Sequence, residues 1–300
     1  MDANLPYVVT DTIQYLINGI AQGSIYALVA LGYTMVYGII KLVNFAHSEF
    51  FMFGAFVGYY SIIYFHLPFY VALPASMLIT GLLAVIVEKI AYKPIRHAGK
   101  ITALITALGI SLLMQNLGQR LVGADPKAFP PVFEEVVYNF GEIMVSKIQI
   151  IIFIVTLILM VILHTLVMHT KMGKAMRATS FSHDAASLMG INTNSVISFT
   201  FFIGATLAGA AGVLVGMYYN TVEPLMGLIP GLKAFVAAVL GGIGIIPGAV
   251  LGGLVLGVVE NLVVGFWIST YRDAIAFSLL IIILLFKPSG ILGKHRKEKV

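Results

Sequence analysis

Three carboxylates stand where a chain rarely places them. Glu49, Glu88 and Glu260 lie in or beside long apolar runs. An acid there either titrates with a passing ion or hydrogen-bonds inside protein. Glu260 is the deepest, well within an apolar run over 248–267. A charge at a helix centre costs about 2.5–3.5 kcal/mol on insertion scales, so Glu260 must face protein or water rather than lipid. Glu49 belongs to Asn44-Phe-Ala-His47-Ser-Glu49, at the start of another run. There Asn44 reads as an N-cap and Glu49 as an acid near the positive helix end, with a gate or a partner contact as the other role. Glu88 adjoins Lys89 at a helix end and reads as interfacial. In the first run Gln14, Asn18, Gln22 and Tyr26 recur every fourth residue, which puts them on one slowly drifting helix face. Amides in lipid either bridge helices or line a wet path. The path candidates are therefore Asn18, Gln22, Tyr26, Asn44, His47, Glu49 and Glu260.

Signatures of catalysis do not occur. The chain has no G-x-x-x-x-G-K-[ST], H-E-x-x-H or G-x-S-x-G, and its seven histidines lack ligand spacing. With no cysteine, disulfides, iron–sulfur clusters and thiolate zinc sites are excluded. No catalytic residue, metal or cofactor is expected in this chain, and any driven work must draw on an ion gradient or another subunit.

The elements that must position these residues are membrane helices. Of 300 residues 59% are hydrophobic and only 10% charged, with a mean hydropathy of +0.98. Soluble domains are roughly a quarter charged, so a polytopic all-α bundle is expected, as one transmembrane domain over 1–300. The clear runs are 12–40, 45–65, 69–88, 101–121, 148–168, 195–219, 248–267 and 271–287. A weaker one, 225–246, is interrupted by Pro230, Gly231 and Lys233. No cleaved signal peptide is expected, since Asp2 and Asp11 replace a basic leading region. The net charge of +5 reads as topology rather than nucleic-acid binding. Lys89, Lys93, Arg96 and Lys100, then Lys171, Lys174 and Arg177, then Lys287, Lys294, Arg296, Lys297 and Lys299 mark inner loops. Loop 122–147 carries Asp125, Glu134, Glu135 and Glu142 and is placed outside. Parity then asks 225–246 to cross as well. This gives nine helices with an outer N-terminus, a cytoplasmic C-terminus and a tight inner turn at Pro247-Gly248; eight with an inner N-terminus is the alternative. Gly241, Gly242, Gly244, Gly248, Gly252, Gly253 and Gly257 give small-x-x-x-small spacings for close packing.

Inner loop 169–194 holds Ser182-His-Asp-Ala-Ala-Ser-Leu-Met-Gly190, which reads as a short helix capped by Ser182 and ended by Gly190. Ala185, Leu188 and Met189 share a face that either docks a partner or packs under the bundle.

Asp184-Ala185-Ala186-x-x-x-Gly190 resembles the E-A-A-x-x-x-G signature of ABC importer permeases, with Asp184 where the signature has Glu. Gly23-Ser-Ile-Tyr-Ala-Leu-Val-Ala-Leu-Gly-Tyr-Thr-Met-Val-Tyr-Gly38, Asn44-Phe-Ala-His47, Ala91-Tyr-Lys-Pro-Ile-Arg96, Lys233-Ala-Phe-Val-Ala-Ala-Val-Leu-Gly-Gly-Ile-Gly-Ile-Ile-Pro-Gly-Ala249 and Pro288-Ser-Gly-Ile-Leu-Gly293 are similar to the LivH-type high-affinity branched-chain amino acid permeases of bacteria. The resemblance implies a five-part importer in the inner membrane. A periplasmic protein captures leucine, isoleucine or valine, and this chain with a LivM-type permease forms the path. Two cytoplasmic ATPases, which bind ATP and Mg, drive it. It also implies a fold akin to the vitamin B12-type importers. Coupling falls to Arg177, His183, Asp184, Ala185, Ala186, Leu188, Met189 and Gly190. The same family also suits urea, amides or a sugar, and an ion-coupled carrier using Glu260 or Glu49 is the reading from another class.

Overall fold

The computed structural model describes residues 5–96, 98–267 and 269–293. Asp2 and the basic residues Lys294, Arg296, Lys297 and Lys299 lie outside them. Each apolar run is a helix, because backbone groups in lipid must bond within their own segment. Helix α1 spans Leu5–Ile40, α2 His47–Ile63 and α3 Phe69–Val87, the last continuing as a π-helical turn over Glu88–Tyr92. Helix α4 is Lys100–Val122 and α5 Lys147–His169. Two amphipathic pieces follow, α6 Lys171–Phe181 and α7 His183–Leu188. The bundle closes with α8 Thr193–Tyr219, α9 Leu228–Gly241, α10 Ile246–Phe266 and α11 Arg272–Phe286. Among the described residues seven helical segments are long and apolar enough to span a bilayer.

The two remaining runs, α2 and α9, are short for a physical reason. Helix α9 has 14 residues, about 21 Å against a hydrocarbon core of about 30 Å. Both begin inside the bundle. A side chain at Gly32 would strike the His47 ring, so α2 starts beside α1 eight residues before that helix ends. Gly227 and Gly231 lie against Ser48 in the first turn of α2, so the buried starts of α2 and α9 meet. Residues 220–227 lead back from α8 to the start of α9; among the described residues seven helices are long enough to cross, and α2 and α9 are shorter than the nine-crossing expectation asks. The expected inner turn lies at Gly242–Ile245, with Gly242 and Gly244 at φ +110° and +93°, and Pro247 opens α10 instead. Proline suits a first helical turn, which has no use for its missing N–H.

Helices α1 and α8 form the buried axis. The α10 glycines serve two faces: Gly252 sits on the Ala237 carbonyl of α9, while Gly253 and Gly257 sit on Ala27 and Gly23 of α1. Apolar residues of α3, α4, α5 and α11 such as Ile86, Leu112, Ile158 and Leu285 remain exposed on the outside of the bundle. The acidic loop is not helical. It carries β1 (Lys127–Ala128), paired with β4 (Thr221–Val222), and a hairpin of β2 (Val137–Phe140) with β3 (Ile143–Ser146). This hairpin end of the bundle lies opposite the α7 end. Lys127 there donates to the Tyr60 hydroxyl over 3.0 Å, which holds its ammonium above the usual lysine range. At the α7 end, Ile291 and Leu292 N–H groups cap the Leu240 and Gly241 carbonyls of α9, a role for the closing Pro288–Gly293 stretch.

Candidate functional site

Glu260 is fully buried on α10 and faces protein. Its Oε1 lies 3.0 Å from Lys233 Nζ on α9. Its Oε2 accepts from the Tyr26 hydroxyl at 2.9 Å and from Gln22 Nε2 at 3.4 Å, both on α1. Gln22 also donates to Tyr26 at 2.7 Å and accepts from Asn261 Nδ2 at 2.9 Å. Lys233 reaches Asp273 of α11 at 2.6 Å, and Arg272 Nε approaches Glu260 to 3.9 Å. Two cations and two carboxylates thus balance one another, as buried charges must. One polar cluster ties together α1, α9, α10 and α11.

This cluster forms one wall of a cavity of about 660 Å³. Gln22, Tyr26, Lys233, Arg272 and Asp273 are polar lining; Val215, Leu225, Met226 and Ile229 are apolar lining. Loop residues Thr221, Glu223 and Ser269 place it toward the hairpin end. The expected path residues therefore part company. Gln22 and Tyr26 line the cavity with Glu260 directly behind them. Asn18 does not, since it accepts from Gln149 Nε2 of α5 at 2.8 Å and from Gln14 at 3.1 Å. Gln14 in turn pairs with the Met144 backbone in β3. Four-residue spacing drifts about 40° per step, enough to turn the upper pair to the hairpin and the lower pair to α10.

Asn44, His47 and Glu49 gather elsewhere, at the buried start of α2. The residue preceding that helix is Ala46, without a side-chain cap. Asn44 Oδ1 instead accepts from the Ala46 N–H at 3.1 Å and from the Tyr92 hydroxyl at 2.5 Å. His47 packs edge-on against Tyr33, with ring centroids 4.7 Å apart. Glu49 Oε1 accepts from Ser48 Oγ, Ser111 Oγ and Gln115 Nε2 at 3.1, 3.0 and 2.9 Å. Glu88 is buried rather than interfacial, clasped by Arg96 and by Ser198 Oγ at 2.6 Å. The π-helical turn brings Glu88 and Tyr92 inward together.

At the α7 end, Ser182 Oγ accepts from the Ala185 N–H at 3.2 Å, the expected N-cap. Gly190, at φ +81°, ends the helix in a conformation that suits glycine. His183 Nε2 meets the Ile39 carbonyl at 3.0 Å, which anchors α7 under α1. Arg177 turns back to the Val167 and Met168 carbonyls at the end of α5. Ala186 is the buried residue of α7. Asp184 and Ala185 are exposed, and Leu188 and Met189 stand out at 88% and 83% exposure beside Phe181 at 80%.

Lys233, Asp273, Arg272 and Asn261 are the members of the Glu260 cluster that the sequence pattern does not pair with it. The signal was available: a lysine inside an apolar run needs a partner as much as a glutamate does.

The fold is that of a multi-pass helical membrane protein with a polar cavity in its bundle. The chain belongs to the family described as "Branched-chain amino acid transport system / permease component", which matches residues 15–284. It is 42% identical to the high-affinity branched-chain amino acid transport system permease protein BraD of Pseudomonas aeruginosa, over 96% of this chain and 98% of that protein. It is 41% identical to LivH, of the same description, from Escherichia coli, over 96% and 97%. A more distant relative is the ribose import permease protein RbsC of Haemophilus influenzae, 27% identical over 91% and 84%.

Proposed function

We propose that this chain is one permease subunit of an ATP-driven importer of branched-chain amino acids in the bacterial inner membrane. The reading rests on the family and on one feature of the α7 end. A capped helix too short to fold alone holds two large apolar side chains out into solvent. Exposed apolar groups of that kind mark a protein contact. On this reading the α7 end and the C-terminus are cytoplasmic and the N-terminus and hairpin end are periplasmic. Two ATPase subunits dock on α7 and supply the ATP and Mg chemistry. A LivM-type permease completes the path, and a periplasmic binding protein delivers the amino acid at the hairpin end.

An ion-coupled carrier fits less well. Glu260 is engaged by Lys233 and Tyr26, and Glu49 by three hydrogen-bond donors. The distant kinship to a ribose permease keeps a second substrate class in view. The test is Leu188→Arg with Met189→Arg. Both sites are exposed, so folded yield stays within about 0.5 kcal/mol of the parent, while ATPase co-purification and ATP-driven leucine uptake are lost. Undiminished uptake in the double variant would refute the docking role, and ATP-driven uptake of ribose or urea but not leucine would refute the substrate.

A further inference from the structure

The cavity beside Glu260 has the chemistry of a recognition site. One wall holds both signs of charge within ion-pair distance of each other, since Lys233 Nζ lies 2.6 Å from Asp273 Oδ1. Val215, Leu225, Met226 and Ile229 give the rest of the lining an apolar character. The Lys233 side chain is 4% exposed, and Asp273 is half exposed. Arg272 Nε is a buried donor with no hydrogen-bond acceptor, 3.9 Å from the nearest carboxylate oxygen. An unmet donor beside a cavity favours a ligand that supplies an acceptor.

We propose that the permease itself binds an amino-acid zwitterion here. The α-carboxylate sits against Lys233 and Arg272, the α-ammonium against Asp273 and Glu223, and the branched side chain against Met226 and Ile229. This deepens the transport reading and rests on it. Charge balance decides the ligand class. Within the cluster Lys233 and Arg272 already offset Glu260 and Asp273, and Glu223 is an exposed, solvent-screened carboxylate at the cavity edge, so a lone anion or cation against the cluster leaves an unmatched charge in a low-dielectric wall. A zwitterion adds one charge of each sign and exchanges partners within the cluster. It must compete with the existing Lys233–Asp273 pair, so binding is weak and release is easy, as a transport intermediate requires. The mixed lining also suits the side chain, because apolar walls with a few convergent polar groups give orientation and specificity.

The test measures radiolabelled leucine bound to the permease complex without its binding protein. Competitors are leucine, 4-methylpentanoate (leucine without the ammonium) and 3-methylbutylamine (leucine without the carboxylate). Leucine should compete at least about tenfold better than either analogue, the scale of one charge-assisted hydrogen bond. Asp273→Asn, which leaves Lys233 paired with Glu260, should shrink the leucine advantage over 4-methylpentanoate to about threefold or less, and Asp273→Glu should restore it. Equal competition by all three compounds, absence of saturable binding, or an unchanged preference in a well-folded Asp273→Asn protein would each overturn the subsite. ATP-driven leucine uptake by the full importer is measured in parallel. Uptake without discrimination overturns the subsite alone; failure of leucine uptake overturns the transport reading as well.

Discussion

Glu260 and Glu49 are both fully buried in one bundle, yet their surroundings are opposites. Glu260 is met by cations on two helices and fronts a cavity of about 660 Å³. Glu49 has only neutral donors from α2 and α4, and among the described residues no lysine or arginine lies within ion-pair distance of it. An acid held by cations is expensive to break, because its removal strands a buried charge. An acid held by hydroxyls and an amide fastens one helix to its neighbour. The same residue type in two apolar runs thus reports two different jobs, and the partners tell them apart.

The sharpest way to break this contrast is to delete each carboxylate. Glu260→Leu should cost about 3–5 kcal/mol of stability, because it strands Lys233 against a single half-exposed partner. Thermal unfolding of the detergent-solubilised protein reads the loss. The double change Glu260→Leu, Lys233→Leu should recover most of it, which separates a stranded charge from a lost shape. Glu49→Leu should cost less, about 1–3 kcal/mol, since it orphans only neutral donors. If Glu49→Leu proved the more damaging, the distinction between the two sites would fail. Asn18→Leu should cost about 1 kcal/mol by releasing Gln149 and Gln14, with uptake little changed because it lies off the cavity.

A probe of access sharpens the comparison. The chain has no cysteine, so a single one can be placed at Met226 in the cavity or at Ser111 beside Glu49. A small polar thiol reagent should modify the first in mass spectra and leave the second untouched. Modification at 111 as fast as at 226 would mean that the Glu49 region is also wet.

Much of this molecule is written in local pattern. Long apolar runs specify helices because lipid offers the backbone no other partner, and all nine runs are helical. Ser182, Asp184 and Gly190 announce α7 because caps act within a few residues. Charge and parity favour a passage through 225–246, and that run holds the short helix α9. Pairing was another matter. That Lys233 meets both Glu260 and Asp273, that Gln22 and Tyr26 turn to the cavity while Asn18 turns to α5, and that α2 and α9 start inside the bundle are contacts between segments far apart in the chain. Periodicity gives a face its direction along one helix but not the neighbour it will meet. Glycines such as Gly32, Gly227 and Gly257 chose those neighbours by letting particular backbones approach. Only the packed bundle therefore turned scattered polar residues into one balanced cluster at a cavity.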